Sequence, residues 1–198
     1  MIDTPILIML VNMWRRNPLF IAFLQATSAD IVMVQEPWFG RLIPSHSDTN
    51  PEGDEVQGFA AHPGWDFFTL KHQKGDICKV VTYVRRSLIM SQDVWVVSLD
   101  DHPIASPSSK ALEVSISGTS FILVNIYHHV VNHRPALGHI LRSPLDTVLP
   151  TYVIGDFNMH SSTWSFLGAT VLSWASPLED WFKDSDLSLV NPTGLATR

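Results

Sequence analysis

Three runs of apolar residues in this chain each stop at a side chain suited to chemistry. Ile31 to Val34 leads through Gln35 to Glu36, and Phe121 to Ile126 ends at Tyr127. Tyr152 to Ile154 passes through Gly155 to Asp156 and then Asn158. Continuous apolar runs of about four to eight residues mark strands buried on both faces, so a chain carrying three of them is committed to packed sheets. Sheets of α/β type collect ligands at the carboxyl ends of their strands. The pattern therefore predicts Glu36, Tyr127, Asp156 and Asn158 at comparable strand ends, on one rim. A lone Gly-Asp reads equally well as the closure of a hairpin, and only the recurrence favours a site wall. Two carboxylates, an amide and a phenol make a hard-oxygen donor set. Mg²⁺ suits such a set, because it takes one or two carboxylates, keeps several waters and leaves positions open for a substrate phosphate.

The remaining elements follow from local signals. Ile6 to Val11 reads as a first strand ending at Asn12. Asn17-Pro18 reads as a helix start, with Asn17 as N-cap and Leu19, Phe20, Phe23 and Leu24 as the apolar face. With the strand Asp30 to Gln35 this makes a βαβ-like opening that brings Asn12 beside Glu36. Pro37 to Gln57 is rich in proline, serine, aspartate and glycine and reads as a long loop, with Trp38 and Phe39 favouring packing over base stacking. Trp65 to Leu70, Ile77 to Val84, Val94 to Leu99 and Leu112 to Ile116 are strand candidates. The last alternates as Leu112, Val114 and Ile116, and Ser117-Gly118-Thr119 turns it into Ser120 to Tyr127 as a hairpin. His139 to Val148 reads as a short helix. Ser176-Pro177-Leu178-Glu179 reads as a capping box opening a helix to Asp186, with a short strand at Leu187 to Val190 and a turn after it.

In order along the chain, Asn12-Met13-Trp14-Arg15-Arg16, Gln35-Glu36-Pro37-Trp38, Lys79 to Arg86, Asn125-Ile126-Tyr127 and Gly155-Asp156-Phe157-Asn158-Met159-His160 with Trp164 resemble the endonuclease/exonuclease/phosphatase superfamily, the deoxyribonuclease I-like fold. Within it they are most similar to the endonuclease domain of fungal long-interspersed-element retrotransposons. The resemblance implies an α+β protein, a four-layer α/β/β/α sandwich of two facing mixed sheets lacking its last strands, as one domain over residues 1–198. It implies a metal-dependent phosphodiesterase that nicks DNA with Mg²⁺, or Mn²⁺, beside a reverse transcriptase domain in the full element, and in the nucleus. By the same resemblance Glu36 and Asn12 serve the metal, Asn12 and Asn158 orient the scissile phosphate, and Asp156 acts on the water or leaving group. Tyr127 donates to a phosphate oxygen, and His160 and Trp164 belong to the retrotransposon version of the motif. Arg15, Arg85, Arg86 and Trp164 are the expected DNA contacts, with Thr197 a weaker match.

Composition narrows the alternatives. A chain of 198 residues with 45% hydrophobic and 16% charged residues is globular and can bury a core without disulfides, and its one cysteine, Cys78, has no partner for an internal disulfide, which fits a reducing compartment. The apolar stretch from Pro5 to Val11 is too short to span a bilayer, and Asp3 stands where a signal peptide would carry a basic residue. A net charge of −6 argues against a general nucleic-acid coat. The charge is uneven, with Lys71, Lys74, Lys79, Arg85 and Arg86 against Asp76 alone, which suits either a substrate-facing patch or a solvated hairpin. His128, His129 and His133 read as loop histidines rather than a zinc site, having no set of four ligands nearby.

The resemblance also implies a Ser-Asp-His motif after a further strand, and no such triplet occurs; Asp101-His102 comes nearest, early and before Pro103. The expectation is a truncated reading frame, impaired because loss of a general base costs about 10²–10⁴-fold, with an unpaired sheet edge exposed. Two alternatives stay open, a phosphomonoesterase using the same rim and a catalytically dead nucleic-acid-binding fragment.

Overall fold

The computed structural model describes residues 5–41, 57–70, 78–91, 94–128, 130–131, 134–135, 138, 140–142, 145, 148–161, 163–165 and 175–190. The elements in order are β1 (Ile8–Asn12), α1 (Asn17–Ala26), β2 (Ile31–Gln35), β3 (Phe39–Arg41), β4 (Gln57–Phe59), β5 (Trp65–Phe68), β6 (Val80–Arg85), α2 (Arg86–Met90), β7 (Val94–Ser98), β8 (Ser109–Ile116), β9 (Thr119–Tyr127), β10 (Val130–Val131), β11 (Arg134–Pro135), a 3₁₀ turn (Ile140–Arg142), β12 (Thr151–Asp156) and α3 (Ala175–Asp184). Two four-stranded sheets carry the fold, ordered β1-β2-β6-β5 and β12-β9-β8-β7. In the first, β1 and β2 are parallel and β6 and β5 antiparallel to their neighbours; in the second, β12 and β9 are parallel and the rest antiparallel.

Alternation along the strands sets the layers, because successive side chains leave a strand on opposite faces. Ile31 and Met33 of β2, Val84 of β6, Leu112 and Val114 of β8 and Leu123 of β9 form one cluster between the sheets. Their neighbours Val32, Val34, Val81 and Tyr83 face outward onto Phe20 and Leu24 of α1. On the far side Ile122, Val124 and Ile126 face Leu178 and Trp181 of α3. The result is helix, sheet, sheet, helix, as the sequence resemblance implies. Within the buried middle layer lie two amides: Gln35 donates from Nε2 to Asn125 Oδ1 at 3.1 Å, and Asn125 donates from Nδ2 to the Val81 carbonyl at 3.2 Å and to Thr82 Oγ1 at 3.3 Å. These bonds tie β2, β6 and β9 together across the sheet interface, just below their shared rim.

Several local expectations change. Arg16, not Asn17, is the N-cap of α1, and Asn17 is already helical ahead of Pro18. The start of the long loop pairs with its end, Phe39 to Phe59 and Arg41 to Gln57. In place of a helix over 139–148 the described residues hold only the Ile140–Arg142 turn, in keeping with Pro144, which disfavours helix at the residue before it. Residues 187–190 form no strand; Leu187 packs on the α3 cluster and Val190 is exposed. The capping box dissolves because α3 begins at Ala175, placing Ser176 inside the first turn. Glu179 reaches outward instead and accepts from Ser161 Oγ and from Thr163 Oγ1. Those hydroxyls hold its carboxyl below the usual range, the Ser161 bond first. No helix among the described residues is long and apolar enough to cross a membrane.

Candidate active site

Parallel pairing brings the polar ends of four strands to one rim. Asn12 ends β1 in register with Gln35 at the end of β2, which puts Glu36 next in line; Tyr127 ends β9 in register with Asp156 at the end of β12. The two sheets meet there, because the Tyr127 hydroxyl donates to Glu36 Oε1. Gly155 explains why the motif needs glycine ahead of the aspartate: a Cβ there would lie 2.1 Å from the Ile126 carbonyl oxygen. Only a residue without a side chain lets β12 approach β9 closely enough to set Asp156 opposite Tyr127.

The backbone around the rim is bent and braced. Glu36 and Asn158 have φ of 46° and 45°, left-handed values that cost a non-glycine residue roughly 1–2 kcal/mol. Glu36 N donates to the Lys79 carbonyl at 3.0 Å, Lys79 N to the Pro107 carbonyl at 2.6 Å, and Tyr127 N to the Ser108 carbonyl at 2.8 Å. One loop, 104–108, thus steadies both partners of the inter-sheet bond. Lys110 anchors that loop's far end: its ammonium is fully buried and meets Asp100 and Ser98 Oγ. Asn158 N donates to Asp156 Oδ1 at 3.0 Å and Asn158 Nδ2 to the His128 carbonyl at 2.8 Å, while His128 N donates to the Asp156 carbonyl at 2.8 Å.

The electrostatics follow. The Tyr127 phenol is pushed well above its ordinary value of 10.0, chiefly by burial, then by its bond to Glu36 and the charges of Glu36 and Asp156; a bond from Asn158 pulls the other way. Tyr127 is therefore a neutral donor at physiological pH. Both carboxylates act on one phenol, and among the described residues neither pairs with a lysine or arginine. No group of three His, Cys, Asp or Glu side chains gathers among the described residues either. A two-carboxylate, oxygen-only set with waters completing the shell fits Mg²⁺ or Mn²⁺ and does not fit a four-ligand zinc site.

The pattern of the family model for the endonuclease/exonuclease/phosphatase family matches residues 9–195, which takes in the carboxyl ends of all four rim strands. The chain belongs to that family. Among solved structures, the endonuclease domain of TRAS1, a telomere-specific non-LTR retrotransposon, has a similar fold, with a TM-score of 0.66 at 15% identity over 96% of this chain and 75% of that one. No curated protein matches.

The family's expected site residues do not all reach the rim. Asn12, Glu36, Tyr127, Asp156 and Asn158 do, and Arg15 joins them by donating from its backbone N to the Glu36 carbonyl at 2.9 Å. Asn12 Oδ1 accepts from Trp14 N at 3.1 Å, and its NH₂ end has the chemistry of a phosphate donor. His160 is exposed in the loop after β12, with Nδ1 3.3 Å from Ser165 Oγ. Trp164, half-buried, braces its loop: its Nε1 donates to the Met159 carbonyl at 3.0 Å and its ring meets Phe182 edge-on. Arg85 and Arg86 sit at the opposite end of the sheet. Because β6 runs antiparallel to β2, Gln35 pairs with Val80 and Ile31 with Val84, so the end of β6 points away from Glu36. The Arg85 guanidinium donates to the Thr27 and Ala29 carbonyls at 2.7 Å each and lies 4.5 Å from the Trp65 ring centroid. Arg86 pairs with Asp66. His128 is a loop residue just past the end of β9, and it is buried. His129, His133, Lys71, Lys74 and Thr197 lie outside the described residues.

Sequence reasoning missed Gln35 with Asn125 as an inter-sheet clasp, Lys110 with Asp100, and Glu179 with Ser161. A signal existed for the first pair, since both amides interrupt otherwise apolar strands. None existed for the others, whose partners are distant or lie in irregular segments.

Proposed function

We propose that this protein is a metal-dependent phosphodiester hydrolase that nicks DNA, of retrotransposon origin. The observation that supports it is the bond from Tyr127 on one sheet to Glu36 on the other, with Asp156 beside the phenol and no basic side chain among the described residues neutralising the two acids. Such a pair of acids attracts a cation, and Glu36 would hold it, with the charge of Asp156 beside it. When bound, Mg²⁺ would supply charge neutralisation at the phosphate. The chain's own groups do the rest. Asn12 turns its NH₂ toward the rim and donates to a non-bridging phosphate oxygen. Tyr127, kept protonated, gives its one hydrogen to Glu36 Oε1; with that carboxylate engaged by a cation, the phenol would be released to donate where negative charge grows. Asp156 accepts a proton at Oδ2, since Oδ1 is engaged by Asn158 N. Asn158 holds Tyr127 and Asp156 in place through the His128 carbonyl and the phenol.

The test is nicking of supercoiled plasmid by the purified chain with Mg²⁺, beside EDTA and Glu36→Ala. The expected result is nicking that stops in EDTA and falls by about 100-fold or more in the variant, as losing several kcal/mol of cation stabilisation requires. Nicking that persists in Glu36→Ala would remove Glu36 from this role. Salt-sensitive binding of DNA by a folded chain that never nicks would favour the binding-only alternative.

A further inference from the structure

Trp14 and Arg15 form a turn with no glycine in it and φ of 43° and 60°, two successive left-handed residues. Such backbone persists only where its surroundings over-determine it, and it clusters at ligand clamps. Here the surroundings are the active site itself. Trp14 N donates to Asn12 Oδ1 at 3.1 Å, Arg15 N to the Glu36 carbonyl at 2.9 Å, and Arg16 N to the Met13 carbonyl at 2.9 Å. The indole on this turn stands out of the core, 68% exposed, where Trp65 and Trp181 are buried. The Arg16 guanidinium lies 5.8 Å from the Trp14 ring centroid.

An indole fixed in solvent, with a guanidinium against it and a second arginine in the same turn, has the chemistry of a nucleobase platform. Aromatic faces stack on any base, and flanking arginines neutralise the phosphates on either side. We infer that Trp14 is a base-stacking subsite for the nucleotide next to the phosphate that Asn12 and Glu36 address. This rests on the nuclease reading of the rim and deepens it. A base inside an intact duplex has no free face to offer, so the subsite takes an unpaired or extruded base. The substrate class it selects is single-stranded, gapped or mismatched nucleic acid, ahead of continuous duplex.

The experiment measures binding of a fluorescein-labelled oligonucleotide, single-stranded or fully paired, by anisotropy in EDTA at fixed salt, using the whole chain and Trp14→Ala, Trp14→Leu and Trp14→Phe. Stacking predicts single-strand affinity weakened about 5- to 150-fold in the alanine and leucine variants. Phenylalanine should restore most of it, with duplex affinity little changed and the salt dependence unaltered because no charge is lost. Wild-type affinity in Trp14→Leu would overturn the proposal, because a leucine has no π face. So would equal losses for strand and duplex, or a wild-type chain that binds no single strand. Plasmid nicking by the same proteins separates the two claims. Single-strand binding that depends on Trp14 without any nicking would sink the endonuclease reading and leave the subsite standing. Nicking that depends on Glu36 and ignores Trp14, with unchanged strand binding, would do the reverse.

Discussion

Replacing Asn125 with leucine should destabilise the protein, and replacing Gln35 with leucine as well should undo part of the damage. Asn125 is fully buried between the sheets. Its Oδ1 accepts from Gln35 Nε2 at 3.1 Å, and its Nδ2 serves the Val81 carbonyl at 3.2 Å. Leucine has nearly the same shape and satisfies neither. The Gln35 amide keeps only its 3.4 Å contact to the Ile126 carbonyl. Leaving one buried donor and one buried carbonyl poorly met costs about 1–3 kcal/mol each, and the added apolar burial returns about 1–2 kcal/mol. Taking the middle of each range, the net expectation for Asn125→Leu is a loss of roughly 2–3 kcal/mol. In the double variant the amide pair is replaced by two apolar groups, a change that is close to neutral for the pair. The double variant should therefore lose about 1–2 kcal/mol less than the sum of the singles. Equilibrium guanidinium unfolding followed by tryptophan fluorescence measures all four proteins, with an unchanged m-value as the check that only stability moved. Additivity within about 0.5 kcal/mol, or an Asn125→Leu protein as stable as wild type, would refute the clasp.

Gly155→Ala should disrupt the β9–β12 register, because its Cβ would fall 2.1 Å from the Ile126 carbonyl oxygen; lost nicking with loosened amide-exchange protection in residues 151–156 is the expected readout. Tyr127 and Tyr83 both hold their protons more tightly folded than unfolded. The stability they contribute is fully present below their ordinary value of 10.0 and declines as pH rises above it. Thermal melts from neutral pH to above that value should show the decline, and Tyr127→Phe should flatten it while lowering nicking about 10- to 100-fold. Arg85→Lys should leave nicking per folded molecule unchanged but lower stability by about 1–3 kcal/mol, since lysine cannot span the Thr27 and Ala29 carbonyls while stacking on Trp65. A selective loss of DNA affinity in that variant would return Arg85 to the substrate.

Much of the rim was legible in the sequence because its signals are local. An apolar run that stops at Glu36, Tyr127 or Asp156 says that a strand ends there, and Gly155 before Asp156 says that backbone must approach closely. Asn12 beside Glu36 follows from a βαβ opening, whose short connection leaves parallel strands as neighbours. Local signals failed where a chain segment's role depended on what it packs against. A capping-box pattern at Ser176 lost to a hydrogen bond between Glu179 and Ser161, and a strand-like 187–190 found no sheet to join.

The sequence by itself determined which residues could do chemistry and that they stand at strand ends, because hydrophobic periodicity and turn chemistry act over a few residues. Tertiary structure alone decided how the two sheets meet at that rim and which basic residues stay away from it. Strand direction cannot be read from composition: β6 runs against β2, which carries the basic Arg85 and Arg86 to the far end of the sheet. The facing of two sheets, equally invisible along the chain, sets Tyr127 against Glu36 across 91 residues of sequence and turns two separate strand ends into one site.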